Sequence, residues 1–300
     1  MKQDHYSVLL NETIDALNIK PDGIYVDLTL GMGGHSSKIL AKLTSGHLVA
    51  FDKDAFAIEK SRTLLSQISN NFTLVHSDFK NITEELNKLG IKQVDGIIAD
   101  LGISSPQIDN AIRGFSYNKD ARLDMRMNQE QTLDAHYLVN NYSVDQIRQI
   151  LIDNAEVKLA GLVANAIVQN RPIDTTLQLA DIIRNSLPAK VVKAKNPCKA
   201  IFQAIRIEVN NELESLRELL SQCTELISKN GSIAIITFHS LEDRIVKHFF
   251  GNLIKDKLPA KMPINEAKEY KVKVIDPSKN ELEENARSRS ARLRVLTKLI

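Results

Sequence analysis

Three glycines stand within four positions, at Gly31, Gly33 and Gly34, in the stretch "YVDLTLGMGGH" of residues 25–35. A short apolar run precedes them and His35 follows. Glycine admits backbone conformations and close approaches that a Cβ forbids. A strand, such a turn and a helix N-terminus together aim backbone N–H groups at a ligand, often a nucleotide. The turn is not a P-loop, because no Gly-Lys-Ser/Thr follows. "GMGGHS" also lacks the third glycine of the dinucleotide fingerprint. Gly31 is expected to shape the bend, and Gly33, Gly34 and the His35 backbone to meet the ligand.

Acids recur at matching places further along. Asp52 closes the apolar run "HLVAFD" and lies 21 residues after Gly31. An acid there can accept both hydroxyls of a ribose. Asp54 is the better candidate to cap the helix that follows. "HSDF", 76–79, offers an acid beside Phe79, an aromatic ring able to cover an adenine. Asp100 ends a further apolar run, in "ADLGISSPQ". All these positions fall at predicted carboxyl ends of strands, where open α/β sheets bind ligands. Together they favour an adenosine-containing cofactor over a bare turn. No HExxH or closely spaced ligand set is present, so no metal is expected.

The elements that must position these groups alternate. Helical periodicity over 7–18 leads to a strand at 24–28, the glycine turn and a helix at 36–43. Strands follow at 47–52, 72–76 and 94–102, separated by helices at 55–68 and 83–89, with Gly90 as a C-cap. That rhythm predicts a parallel, doubly wound α/β sheet. Residues 103–130 read as a long structured loop, and 132–228 as helices only. Strand character returns at 231–240, followed by a helix at 241–250 and strands at 270–275 and 292–297. A helical domain inserted into an α/β domain is the economical organisation, with 1–107 and 209–300 flanking an insert of 108–208. Residues 255–285 are rich in lysine and glutamate and are expected to be mobile.

Composition narrows the class. The 300 residues are 43% apolar and 25% charged, with a net charge of +2, as for a soluble globular protein. No apolar run suits a membrane span, and the N-terminus has the acids and amides that a secretion signal lacks. Only Cys198 and Cys223 occur, outside any CxxC pair, which fits a reducing, cytoplasmic setting. Two basic stretches carry no acid: residues 187–199 with four lysines, and 285–300 with five basic residues. Such runs can track a phosphate backbone, or simply face solvent.

Longer motifs are more specific. "DLTLGMGGHS", "DLGISSPQID", "RGFSY…LDMRMN", "FQAIRIEVNNEL", "FHSLEDRIVK" and "RSRSARLRV" resemble the ribosomal RNA small-subunit methyltransferase H family, over nearly the whole chain. The resemblance implies a class I (Rossmann-like) methyltransferase sheet with an inserted all-helical domain. It implies methyl transfer from S-adenosylmethionine to the exocyclic nitrogen of a cytidine in the decoding region of 16S rRNA, within the 30S subunit. It implies cofactor contacts at Gly33, Gly34, His35, Asp52, Phe79, Asp100 and Gln107. Ala200, Ala286 and the Ala121–Arg122 pair depart from the residues usual in that family. A homodimer is left open.

The reaction needs a weak nucleophile improved. Cytosine's amino lone pair is delocalised into the ring, so an acceptor on its N–H groups raises electron density during attack. Asp100 and the carbonyls of "DLGISSP" lie in the segment suited to this, and Asp100 could equally bind the cofactor amine. The target base must be unpaired or flipped. Arginines with Phe115 and Tyr117 in 113–127 could stack on it, although at least one ring is expected in the core. His239 could touch base or phosphate, but a lone histidine is more often structural. The rivals are cytosine C5 methylation through Cys198, a non-catalytic rRNA assembly factor, and a dehydrogenase that the broken fingerprint disfavours.

Overall fold

A computed structural model describes residues 7–255 and 268–300. The chain divides into two compact units, residues 1–102 with 214–300 and residues 103–213. The first runs α1 (Leu10–Leu17), β1 (Ile24–Asp27), α2 (Gly34–Leu40), β2 (His47–Asp52), α3 (Ala55–Ser66), β3 (Phe72–His76), α4 (Ile82–Lys88) and β4 (Val94–Asp100). The second contains α5 (Ser105–Asp109), α6 (Ala135–Asn141), α7 (Val144–Ala155), α8 (Ala160–Gln169), α9 (Thr176–Ser186), α10 (Ala189–Ala194) and α11 (Cys198–Asn210). The chain returns through α12 (Glu212–Leu226), β5 (Ile227–Thr237), α13 (Ser240–Leu253), β6 (Tyr270–Ile275), α14 (Lys279–Glu284) and β7 (Arg292–Lys298).

The first unit is built on a seven-stranded sheet of order β3-β2-β1-β4-β5-β7-β6. Strands β1 to β5 pair in parallel, and β7 runs antiparallel to β5 and β6. Alternate residues of each strand face opposite sides of a sheet. Val26, Val49, Phe51, Ile97, Ala99, Ile233 and Ile235 accordingly join one apolar core. Tyr25, Leu48, Ala50, Ile98, Ala234 and Ile236 join another. Both faces being buried explains why the central strands read as continuous apolar runs. Chain order reverses between β1 and β4, so the ends of these two strands flank the crevice where such sheets bind ligands.

Three strands fall where periodicity put them, at 47–52, 72–76 and 270–275, and β7 runs one residue beyond the expected 292–297. The strand expected at 231–240 starts earlier, at Ile227, directly after α12. Asn230 (φ 64°) sits within it beside Gly231, and those two turn-formers hide the strand's first residues from a periodicity reading. Of the expected mobile stretch 255–285, residues 256–267 lie outside the described residues; its remainder holds β6 and α14.

The second unit begins and ends five residues outside the expected limits of 108 and 208, because both positions lie within helices, α5 and α11. Its first part holds α5 and a structured loop, which sends side chains of 113–127 into the interior of this unit. Phe115, Leu123, Met125 and Met127 are buried with residues of α6 to α11. Arg113 is buried and donates to the carbonyls of Arg126 (2.8 Å) and Met127 (3.0 Å). Arg126 forms a two-pronged pair with Asp124 at 2.8 and 2.7 Å. Tyr117 stands edge-on to Phe202, ring centroids 5.7 Å apart. These arginines and rings are therefore committed to packing.

Asn210, in "FQAIRIEVNNEL", joins α11 to the loop before α6. Its buried amide donates to the Met125 carbonyl (2.7 Å) and the Arg206 carbonyl (2.9 Å), and accepts from Met127 N (2.7 Å). Asn210→Ala leaves the Met127 N–H and the Met125 carbonyl without their partner in a dry interior. The variant is expected to lose about 3 kcal/mol of stability, read by urea denaturation of the helical unit. A loss below about 0.5 kcal/mol would show that these bonds are replaceable.

Candidate active site

The first apolar run ends in Asp27, an acid with almost no exposed surface. One of its oxygens accepts from Ser36 Oγ at 2.7 Å and the other from Thr29 N at 3.1 Å. Asp27 thus ties the end of β1 to the first turn of α2 and fixes the loop between them. Burial pushes its carboxyl above the usual range, offset in part by the donors from Ser36 and Thr29. Sequence reasoning passed over this residue. An acid closing an apolar run just before a glycine turn is the signal that could have found it.

Within the loop, Gly31 has φ 50° and Gly33 has φ 78°, both in the left-handed region that favours glycine. The Gly31 N–H donates to Asp52 Oδ2 (2.8 Å), and its carbonyl accepts from Ser61 Oγ (2.8 Å). A Cβ on Gly31 would meet only Thr29 O, at 3.8 Å, so the space beside it is open. A Cβ on Gly34 would lie 1.9 Å from Ser7 Oγ. The absence of a side chain at Gly34 therefore accommodates Ser7, and the open approach is at Gly31, which the sequence reading had given a purely shaping role.

Asp52 ends β2 beside this loop. Besides Gly31, it accepts from the Asp54 N–H at 2.8 Å through Oδ1. Asp54 caps α3 by accepting from Phe56 N at 3.1 Å, as the sequence suggested. Burial pushes the Asp52 carboxyl up to about 6, against the two backbone donors that favour its charge. Phe79 lies partly buried after β3. Its neighbour Asp78 accepts from Lys80 N at 3.1 Å and sits 3.3 Å from the Lys53 ammonium.

Asp100 ends β4. Its own N–H donates to Thr29 Oγ1 at 2.6 Å, which couples β4 to the glycine loop. The buried ring of His35 brings Nδ1 to 3.9 Å from Asp100 Oδ2. The other oxygen, Oδ1, is buried and has no hydrogen-bond partner among the described residues. Burial raises the Asp100 carboxyl well above the usual carboxylate range, and the negative charges of Asp27 and Glu242 add to the rise. An acceptor in that condition is costly unless something donates to it.

Glu242 was also missed. Its Oε2 accepts from Phe238 N (2.8 Å) and His239 N (3.3 Å). His239 caps α13, its Nδ1 accepting from Glu242 N at 3.4 Å, and its Nε2 lies 3.1 Å from Glu242 Oε1. That makes His239 a structural histidine. The next acid, Asp243, pairs with the buried Arg294 at 2.7 and 3.0 Å. Arg292 pairs with Asp276 at 2.8 Å. With Lys298, which donates to the Ile227 carbonyl at 3.2 Å, three of the five basic residues of the C-terminal run thus brace β7, while Arg287 and Arg289 are exposed. Gln107 belongs to the other unit, where its buried side chain accepts from Ser104 N at 3.0 Å and closes the first turn of α5.

Residues 2–299 match the MraW methylase family. The chain belongs to that family. It is 65% identical over 300 residues to "Ribosomal RNA small subunit methyltransferase H" of Mycoplasmopsis agalactiae, covering 100% of both chains. A relative of the same name from Mycoplasmopsis synoviae is 56% identical over 299 residues, covering 100% of this chain and 99% of the relative. Another, from Clostridioides difficile, is 47% identical over 311 residues and covered in full on both sides. Membership of a methylase family directs attention to the acids and glycines at the ends of β1, β2 and β4.

The cysteines stand outside that chemistry. Cys198 and Cys223 are fully buried, and burial pushes both thiols up. The Cys198 thiol donates to the Ala180 carbonyl at 3.6 Å within the helical core. Cys223 lies in the apolar core under the sheet. Neither has the lowered pKa of a nucleophilic cysteine.

Proposed function

We propose that this methylase transfers a methyl group from S-adenosylmethionine to the exocyclic N4 of a cytidine in the decoding region of 16S rRNA, in the cytoplasm and on the 30S subunit. The observation that carries this reading is the buried Oδ1 of Asp100, unpartnered among the described residues, beside an open glycine turn. S-adenosylmethionine supplies a methyl group already activated on a sulfonium. It also carries an ammonium, a ribose diol and an adenine. The residues present fit those groups. Asp27, Asp52, Asp100 and Glu242 crowd negative charge and burial into one region, which a bound cation relieves. Asp52 keeps acceptor capacity for ribose hydroxyls. Gly31, open on one side, and the backbones of Gly33, Gly34 and His35 would hold the cofactor from the loop, with Phe79 against the adenine.

The chain's own residues then do three things. The carboxylate of Asp100 accepts from the cytosine amino group and raises electron density on that nitrogen as it attacks. His35, at 3.9 Å, favours the charged form of Asp100 when protonated. The rigid β1–α2 loop, tied by Asp27, holds the acceptor geometry without reorganisation. As the N–C bond forms, the methyl group's bond to sulfur would break and leave a neutral thioether, and the N–H proton passes to Asp100 or to water.

The test is transfer of a labelled methyl group from S-adenosylmethionine to purified 30S subunits. A non-catalytic assembly factor would bind the subunits and incorporate nothing. The same assay decides between nitrogen and carbon methylation. A C5 enzyme needs a thiolate to add to the ring before the methyl arrives. Because both thiols are buried, the double variant Cys198→Ser, Cys223→Ser is expected to keep its transfer rate within about threefold when folded. Loss of transfer in a folded double variant would restore the carbon mechanism.

A further inference from the structure

The arginines of 113–127 look on sequence like RNA contacts, yet Arg113 and Arg126 are spent inside the helical unit. The cations left over lie elsewhere. Between Asp181 and Glu208 the chain carries six basic residues and no acid. Arg184 pairs with Asp181 at 2.9 Å, and Arg206 with Glu212 at 2.8 Å. Lys190, Lys193, Lys195 and Lys199 are all exposed. None of the four forms a hydrogen bond or ion pair with the described residues.

Their backbone is firmly held. The stretch carrying them is anchored by buried residues at both ends, Leu187 at 9% exposure and Cys198 at 0%. Val192 of α10 packs on the helical core between them. Asn196 accepts from Cys198 N at 3.0 Å and fixes the start of α11. Lys190 and Lys193, three residues apart on α10, share a face of that helix. Lys195 and Lys199 follow in the link to α11 and in its first turn. Four unneutralised ammonium groups on an anchored, acid-free segment form a cationic ridge. Solvent-facing lysines normally alternate with acids, which here are absent over 26 consecutive residues.

We infer that this ridge of α10 and its flanks grips the phosphate backbone of the substrate RNA and sets the affinity of the helical unit for it. Lysine is a point charge without the planar fork that reads base edges. The ridge therefore recognises backbone and not sequence. This inference rests on RNA being the substrate, and it adds where the RNA is held.

The experiment measures binding of the full chain to purified 30S subunits and to protein-free 16S rRNA across a KCl series. Each phosphate contact contributes about 0.7–0.9 to the slope of log K against log salt. The variant Lys190→Ala, Lys193→Ala, Lys195→Ala, Lys199→Ala is expected to lower that slope by about 3 on both targets, with affinity about ten- to a hundredfold weaker at 0.15 M salt. Replacing the same four lysines with arginine keeps the slope. S-adenosylmethionine affinity, read by calorimetry, stays unchanged in both variants. An unaltered slope overturns the inference. A reduced slope on 30S subunits alone, with 16S rRNA unaffected, also overturns it and points to an acidic ribosomal protein surface. Failure of the unsubstituted chain to bind either target would defeat the proposed substrate itself.

Discussion

Asp100→Asn lowers the rate of methyl transfer by about 10²- to 10³-fold in single-turnover assays. The asparagine matches the carboxyl in size, so it removes charge without opening a cavity. It presents one weak acceptor where the cytosine amino group requires a strong one. The same substitution is expected to leave the fold intact or to stabilise it. The folded Asp100 carboxyl titrates well above its usual range, so the folded state binds protons that the unfolded state has already released. Its charged form therefore costs stability as pH rises from the ordinary carboxylate value, and asparagine escapes that cost. A lost rate with an equal or higher melting temperature is the signature of a functional acid. A rate within tenfold of the parent would remove Asp100 from the chemistry.

Asp52→Ala weakens S-adenosylmethionine binding by about ten- to a hundredfold, from the loss of about 1.5–3 kcal/mol of charge-assisted hydrogen bonding. Calorimetry reads this directly. Asp52 also holds the N–H groups of Gly31 and Asp54, so the variant loosens the glycine turn as well. The pH dependence follows from the raised carboxyl, near 6. Ribose hydroxyls donate to the carboxylate, so binding favours the ionised form and lowers its pKa. Affinity should rise with pH up to about 6 and level off above. Binding should release protons below that point. In Asp52→Asn the part of this dependence centred near 6 disappears. Unchanged affinity in Asp52→Ala, or affinity that falls as pH rises through this window, would remove Asp52 from the ribose site.

Much of the fold was legible because the central strands are buried on both faces and punctuated by glycine, asparagine and aspartate. The residues 47–52 illustrate this. The acids at the ends of β2 and β4 were legible from spacing, since the topology forces strand ends to one edge of the sheet. What was not legible depends on contacts that form only in the folded chain. Asp27 and Glu242 each act through backbone donors that only the folded loop supplies. Gly34 looked like room for a ligand until Ser7 was seen to fill it. The stretch 113–127 carried an RNA-binding composition, yet two backbone carbonyls engage Arg113, Asp124 engages Arg126, and Phe115 and Tyr117 pack in the helical core. Composition reports which groups are available, and only packing decides which remain so.

Retention of the ring hydrogen during transfer tests the nitrogen mechanism most directly. Carbon methylation at C5 must expel the C5 proton, whereas attack by the exocyclic nitrogen leaves it in place. Subunits carrying cytidine tritiated at C5 are therefore incubated with the chain and S-adenosylmethionine, and methyl incorporation and tritium release are counted together. The account predicts methyl incorporation with tritium retained in the RNA and a product nucleoside methylated at N4. Tritium released in step with methyl incorporation would contradict it.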